Sequence, residues 1–456
     1  MRFKRLEIVD GASHSAIAIL RESQVLIAAR LSRLSLLASG ALLLGTAAGQ
    51  TYSVEDLGPL SDLPSRTDSG PYGINLSGDV AAANVTNGSY HAMLYNGSWK
   101  DLGTLGGSES LAGGLNDSAQ VVGYSQTSAG DTNAFLWTPG AATGVPGNPQ
   151  MQNLGTLGGS VSQAYAINNS GQITGYSDVP SRPTVRQHVF VYSSGAMTDL
   201  GQQLGNLVNS FGYGINAAGH IAGTAYDSAY TAPHAFFFNG STLTDLGLFG
   251  GLGSSVSAIN NSDTIAGYLT TTSSLDHAFS YRAGAVTDLG TLGGHYSYAL
   301  GLNNSNAIVG GSFADSKDSI YHAFVWQNGA MADLNGLLDS TGAGWTLVEA
   351  RAVNDAGRIT GIGQLGGINH VFRLSPLLTT NQAPKITSIQ TSGANVILHF
   401  TTMASRTYAV LTNATLSSTG WGNLATNIVG NGGTVAVTNL SGISSLPKFY
   451  RVRLLP

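Results

Sequence analysis

The chain contains no cysteine. That excludes disulfide staples, thiolate metal sites and a cysteine nucleophile, so stability must come from packing and from closure of the fold. Charge is scarce as well. Asp, Glu, Lys and Arg make up 10% of the 456 residues, against about 25% in an average soluble domain. After residue 49 the glutamates are Glu55, Glu109 and Glu349, which leaves few candidates for a catalytic carboxylate pair unless aspartates serve. The Gly-rich stretches lack the Gly-Lys-Ser/Thr ending of a phosphate loop, and no Gly-x-Ser-x-Gly or His-Glu-x-x-His stands out.

What is present is a 42% apolar chain rich in Gly, with 61 glycines, long enough for a sizeable core and two or three domains. Its charge is uneven. Residues 1–49 carry six Lys/Arg and three Asp/Glu, residues 50–383 nine and 22, and residues 384–456 five and none. The acidic body offers no footprint for nucleic acid. The basic tail suits an anionic surface such as lipopolysaccharide or simply keeps a small domain soluble. Arg30 and Arg33 precede the apolar run Leu34 to Leu44, and Thr46, Ala47, Ala48 and Gly49 follow. These are the parts of a signal peptide with a long leading region, expected over 1–49, and the apolar run is too short to span a bilayer comfortably.

One unit is written seven times. It reads Asp-Leu-Gly, a Gly-rich link, a small-residue run ending in Ile/Leu-Asn, a short turn, Ile/Val-x-Gly, a variable loop and His-Ala-Phe. The first element recurs at Asp56, Asp101, Asn153, Asp199, Asp245, Asp288 and Asp333. The turn asparagine recurs at Asn75, Asn116, Asn168, Asn216, Asn260, Asn303 and Asn354, and the aromatic segment begins at His91, Asn133, His188, His234, His277, His322 and His370.

Each repeat predicts four short strands, because period-two apolar runs are separated by turn residues. In the third repeat these are Gln163 to Asn168, Gln172 to Tyr176, His188 to Tyr192 and Met197 to Leu200. The first turn opens on an Asx residue and closes on one that tolerates positive φ, such as Gly78, Gly171 or Gly357, with Asn306 and Asp263 acceptable and Ala119 a poorer fit. Four strands in each repeat is the pattern of a propeller blade. The chain ends decide against a solenoid. Tyr52 to Leu57 is an isolated Asp-Leu-Gly strand, and the seventh repeat stops at His370 to Leu374 without one. The expected fold is therefore all-β: a seven-bladed β-propeller over 50–378, closed by the N-terminal strand, with no unpaired edge at the closure.

The strings Asp101 to Gly107, Gly155 to Gly159 and Gly290 to Gly294, with Ile-Asn-Asn-Ser-Gly at Ile167 and His-Ala-Phe at His234, His277 and His322, resemble the HAF-repeat family of bacterial extracellular proteins over about residues 52–375. The resemblance implies secretion and a repeat fold, and it transfers no catalytic residues. Pro59, Gln202-Gln203 and Asn133 depart from the pattern. The tail alternates at Val396 to Thr401, Arg406 to Leu411 and Thr434 to Thr438. It resembles the small β-sandwich module appended to large secreted proteins of Gram-negative bacteria, giving an Ig/fibronectin-like sandwich over 385–456 after a linker at 379–384.

Histidines at equivalent repeat positions are dispersed around a ring, so each is expected to hydrogen-bond within its own blade rather than share a metal. The recurring Asp is expected to fix a turn. The loops between second and third strands vary most and carry Asp131, Asp178, Arg182, Arg186, Asp227, Tyr230, Asp276, Asp315, Lys317 and Asp318, which form the candidate binding face. Asp315 to Ser319 could hold calcium, but Lys317 opposes it. His295, Tyr296, Tyr298, Trp345, Glu349 and Arg351 could supply sugar-stacking aromatics and polar partners, with blade packing as the competing role.

The resulting expectation is a monomeric, secreted or cell-surface, non-catalytic binding or adhesion scaffold without cofactor or bound metal. Its expected partner is an extracellular polysaccharide or surface protein. Two alternatives stand beside it: a structural envelope component, and a carbohydrate-active hydrolase or lyase. The enzyme requires two carboxylates or a Tyr/His/Arg cluster converging at one end of the channel.

Overall fold

The computed structural model describes residues 4–10, 14–20, 50–61, 70–180, 186–377, 384–392, 395–402, 407–413, 421–430, 433–439 and 449–454. Regular structure among them is strand, apart from the 3₁₀ turns Gly201–Leu204, Leu334–Leu337 and Ser340–Gly342. The chain divides into two compact units: Tyr52–Pro376, and Leu377–Pro456 together with Met1–Thr51.

The first unit is all-β and propeller-like. Its described residues form seven four-stranded antiparallel sheets that follow one another along the chain. The third sheet runs Ser162–Ile167, Ile173–Val179, Arg186–Ser193 and Ala196–Asp199 in chain order, within three residues of the strands expected from the repeat. The seventh takes its inner three strands from Trp345–Val353, Ile359–Leu365 and Ile368–Pro376, and its outer strand is Tyr52–Pro59 from the other end of the unit. That pairing sets Tyr52 opposite Pro376 and Pro59 opposite His370.

The repeat residues explain the strands. Where the third strand of a sheet is covered on both faces, consecutive Ala and Phe are both buried: Ala235 and Phe236, Ala278 and Phe279, Ala323 and Phe324 are inaccessible to solvent. Fully burying each such phenylalanine contributes about 1.5–3 kcal/mol. The glycine of Ile/Val-x-Gly answers a bulge in the inner strand. A Cβ on Gly267 would lie 2.0 Å from the Ser255 carbonyl oxygen, and one on Gly175 1.9 Å from that of Gln163, separations no real Cβ adopts. Inner-strand register shifts beside these positions, between Val256 and Ala258 and between Ala164 and Ala166. The turn chemistry also holds. Gly171 and Asp263 close their turns at φ 76° and 57°, and even Ala119 adopts φ 55°, so tertiary context overrides its poorer local fit.

Adjacent sheets share cores. Ala81, Ala92 and Leu94 of the first meet Ala112, Val121 and Phe135 of the second; Val309 and Val325 of the sixth meet Leu347 and Phe372 of the seventh. Leu57 and Val371 of the seventh meet Val80 of the first.

The second unit has two sheets around a core of Leu398, Phe400, Tyr408, Val410, Tyr450 and Val452. One sheet pairs Ile386–Ser392, Asn395–Thr401 and Thr434–Asn439; the other includes Thr407–Asn413, Gly422–Val429 and Phe449–Leu454. Strands Lys4–Asp10 and His14–Leu20, inside the stretch expected as a leader, form a hairpin, and the second pairs with Phe449–Leu454. The apolar run Leu34 to Leu44 and linker residues 379–383 lie outside the described residues. No helix among the described residues is long and apolar enough to cross a membrane.

Candidate functional site

The recurring histidines act within their own sheets. Nδ1 of His91, His188, His234, His277 and His322 lies 2.7–3.1 Å from the carboxylate of Asp101, Asp199, Asp245, Asp288 and Asp333 respectively. In the seventh sheet His370 reaches Asp56 on the strand from the start of the unit, at 2.8 Å. The second sheet changes both partners together: Asn133 Nδ2 donates to Asn153 Oδ1 at 3.1 Å. Each acidic or amide oxygen also accepts the backbone N–H two residues on, as Asp101 does from Gly103 and Asn153 from Gly155. These groups fix the turn that leads from one sheet to the next.

The repeat's signal did not reveal the serine that completes this corner. Ser254 Oγ accepts from Ala235 N and donates to Gly247 O; Ser297 does the same between Ala278 N and Gly290 O. Its constant place, after the Gly-rich link, was the available clue.

The turn asparagines form a circuit. Nδ2 of Asn75 donates to Asn116 O, Asn116 to Asn168 O, Asn168 to Asn216 O, Asn216 to Asn260 O, Asn260 to Asn303 O, Asn303 to Asn354 O, and Asn354 to Asn75 O, at 2.7–3.4 Å. All seven are buried. Their Oδ1 atoms accept backbone N–H groups of their own turns, as Asn216 does from Ala218 and His220. The asparagines are satisfied and therefore structural. They line a cavity of about 280 Å³.

Above them stand Ile74, Leu115, Ile167, Ile215, Ile259, Leu302 and Val353, which line both this cavity and a second of about 530 Å³ and so separate the two. The larger cavity is the candidate site. Its wall includes Tyr72, Tyr124, Gln163, Tyr165, Tyr213, Ser257 and Arg351. Tyr72, Gly113, Tyr165, Tyr213, Ser257, Leu300 and Arg351 each stand three residues before a turn asparagine. This inner-strand position varies from repeat to repeat, and that variation is the signal that could have located the site.

Arg351 joins this wall to a polar cluster. Its Nε donates to Glu349 Oε2 at 2.6 Å, and its guanidinium lies 5.7 Å from the Tyr72 ring centre. A Cβ on Gly70 would meet Arg351 Nη1, so the glycine makes room for the guanidinium. The Tyr321 hydroxyl bonds the same Glu349 carboxylate; burial first, then the Glu349 charge, pushes that phenol far above its usual range. The Tyr298 hydroxyl donates to Asp276 Oδ2 at 3.3 Å, and its pKa is pushed up to about 12 by burial and by Asp276. Arg351 thus joins the aromatic wall of the cavity, the Glu349 carboxylate and the proton-bearing phenol of Tyr321 into one cluster. Trp345 and Tyr296 do not join it. Trp345 packs edgewise on His370 and Phe372, and Tyr296 on Phe313.

The loop residues of the expected binding face are not one site. Asp131 and Arg186 are exposed, and Arg182 lies outside the described residues. Asp178 is buried, and burial raises its pKa. Asp227 accepts Ala229 N, Thr231 N and Thr231 Oγ1, and Asp315 accepts Ser319 N, Ser319 Oγ and Ile320 N, so both carboxylates cap their own loops. Asp318 accepts from His295 N and bonds its Nδ1, while Lys317 is exposed. Among the described residues no group of three His, Asp or Glu could hold a metal. Tyr230 does connect to the cavity wall, through a series of ring contacts ending at Tyr213 and Tyr165, and Asp276 bonds Tyr298.

No protein-family model matches the sequence, and no curated protein matches it. Solved structures do. The β-propeller domain of the Trilobed protease from Pyrococcus furiosus aligns at 9% identity and TM-score 0.40, covering 72% of this chain and 92% of that one. A puromycin hydrolase aligns at 10% and 0.46, covering 75% and 61%, and the Pyrococcus horikoshii acylaminoacyl peptidase at 7% and 0.40, covering 74% and 59%. The chain spans about three fifths of the length of the latter two. At these identities the likeness concerns the propeller fold alone. The expectation of a non-catalytic scaffold, and not an enzyme, is corrected to this extent: the matching propellers belong to peptidases.

Proposed function

We propose that the chain is a secreted HAF-repeat protein built on a seven-bladed β-propeller whose last blade is completed by Tyr52–Pro59, and that its channel is the substrate site of a polysaccharide-cleaving enzyme, a hydrolase or lyase. The blade count and closure are supported by the asparagine circuit returning from Asn354 to Asn75 and by the His370–Asp56 pair. The single observation that carries the function is that Arg351, which lines the cavity beside the tyrosine wall, is bonded to Glu349, and Glu349 to Tyr321. Tyrosine offers an apolar face with a hydroxyl edge, which suits a sugar ring with an apolar face and a hydroxyl rim. Guanidinium geometry suits the carboxylate of an acidic sugar. Glu349 and Tyr321 provide the acceptor and donor that general acid–base cleavage requires.

The test is depolymerisation by the purified full chain across neutral and acidic polysaccharides, following reducing ends and the ultraviolet absorbance of an unsaturated product, which separates hydrolysis from elimination. Glu349→Gln and Tyr321→Phe are expected to lower the rate by roughly 10²–10⁴-fold, the contribution of a positioned acid or base, with unchanged circular dichroism. A wild-type chain that cleaves nothing, or a Glu349→Gln variant as fast as wild type, overturns the proposal.

A further inference from the structure

The channel wall does not end at the channel. Tyr165 and Tyr213, which both line the cavity, stack at 5.3 Å with 16° between their planes. Tyr213 stacks on Phe211 at 6.3 Å and 21°. Phe211 meets Tyr226 edge-on at 6.1 Å and is backed by Tyr176 at 5.0 Å. Tyr226 then meets Tyr230 at 5.1 Å and 40°. Each ring touches the next, from the inner strand Asn209–Ile215, through the second strand Ile221–Tyr226, to the variable loop beyond it.

The last ring is presented rather than merely tolerated. Tyr230 is 50% exposed and holds φ 53°, a conformation uncommon for a bulky residue. Its loop is pinned by the three hydrogen bonds to the Asp227 carboxylate, and its own hydroxyl donates to Gln187 Oε1 at 3.0 Å. A surface ring fixed before a ligand arrives loses little freedom on binding, which is what an affinity-bearing aromatic needs. A single exposed aromatic means little; one that ends a continuous series leading out of a cavity defines a path.

We infer that this series is an extended subsite along which a linear polysaccharide chain lies, with Tyr230 as its outermost contact, so that the site takes long chains rather than single sugars or short oligomers. The inference rests on the channel being the substrate site. Chain chemistry is indicated by the lining: five phenol or phenyl rings in sequence, hydroxyl and amide edges, and no basic side chain among them. Asp178, whose charge acts on Tyr176 and Tyr230, is itself buried, and the Asp227 carboxylate is taken up by its own loop.

The experiment is calorimetric titration of the full chain with length series of neutral cello-oligosaccharides and acidic oligogalacturonates. Wild type is expected to bind longer members progressively more tightly. Tyr230→Ala is expected to weaken the long members roughly tenfold, the order expected for losing one aromatic contact, and to leave the shortest unchanged; Tyr230→Phe should keep most of the affinity. Arg351→Ala should weaken every length alike. If Tyr230→Ala retains the length dependence while Arg351→Ala weakens all members, the subsite is wrong and the channel reading stands. If wild type binds no member of either series, the channel reading itself fails. Tyr230-dependent binding of an unfolded casein peptide in place of the sugars would overturn the polysaccharide assignment.

Discussion

At the scale of single residues, the same few side chains are used for corners and turns throughout, and their electrostatics are readable one at a time. In the third sheet burial opposes ionisation of Asp199, but hydrogen bonds from His188, Gln202 and Gly201 N–H win and hold its carboxyl below the usual range. A carboxyl depressed in the folded state stabilises above its unfolded pKa of about 3.9 and loses that contribution as pH falls through the folded value. Asp199→Asn should therefore melt below wild type at neutral pH, and the two melting temperatures should converge on acidification below about pH 4. Parallel curves across that range would show that the charge of Asp199 contributes nothing. The paired change to Asn133 and Asn153 in the second sheet follows the same logic, since two neutral amides keep the donor and acceptor without a charge. The pairing of histidine with aspartate appeared only in the fold, but each was legible from sequence as a recurring element of the repeat. The corner serine was not, because serine is common and its two partners come from different strands.

At the scale of the element, the inner-strand turn is the unit that joins neighbours. Asn216 bonds two backbone N–H groups of its own turn and reaches both Asn260 O and Asp263 Oδ1 in the next sheet. Replacing it with alanine leaves buried donors and acceptors unmet, at a cost of about 1–3 kcal/mol. Asn216→Ala should lower the urea midpoint with the slope unchanged, whereas Asn239→Ala, in an exposed second hairpin, should lower it less. Equal effects would remove the circuit's special role. The repeat pattern placed these strands because a strand covered on both faces needs consecutive buried residues, and His-Ala-Phe supplies them. It could not show the inner-strand bulge. The glycine two residues into the second strand marks that bulge only once the opposing carbonyl is in view, 2.0 Å from where Gly267 would carry a Cβ.

At the scale of the whole molecule, Tyr52–Pro59 and Ile368–Pro376 bring together segments more than 300 residues apart in sequence, with Arg373 spanning from Glu55 to Gly78 O. A chain beginning at Gly70 should expose the edge of Ile368–Pro376, aggregate or melt early, and recover on addition of the Tyr52–Pro59 peptide. Unchanged melting and a single sharp peak in size-exclusion chromatography would show that the strand is dispensable. The candidate site belongs to this scale too. Tyr72, Tyr165, Tyr213 and Arg351 come from four repeats and meet only because the inner strands face a common axis. From sequence, Glu349, Arg351 and Tyr298 stood out as departures from the repeat, but so did Trp345 and Tyr296, which turn into packing.

Sequence alone determined the number of repeats, the strand order within each, the turn chemistry and the pairing of first with last segments, because periodicity and turn residues act over a few positions. Which departures from the repeat share a cavity, and which loop carboxylates are consumed by their own caps, was decided only by the tertiary structure. Strand alternation says that a side chain faces one side of a sheet; the register, bulge and curvature that aim it at a neighbour are set by every sheet together.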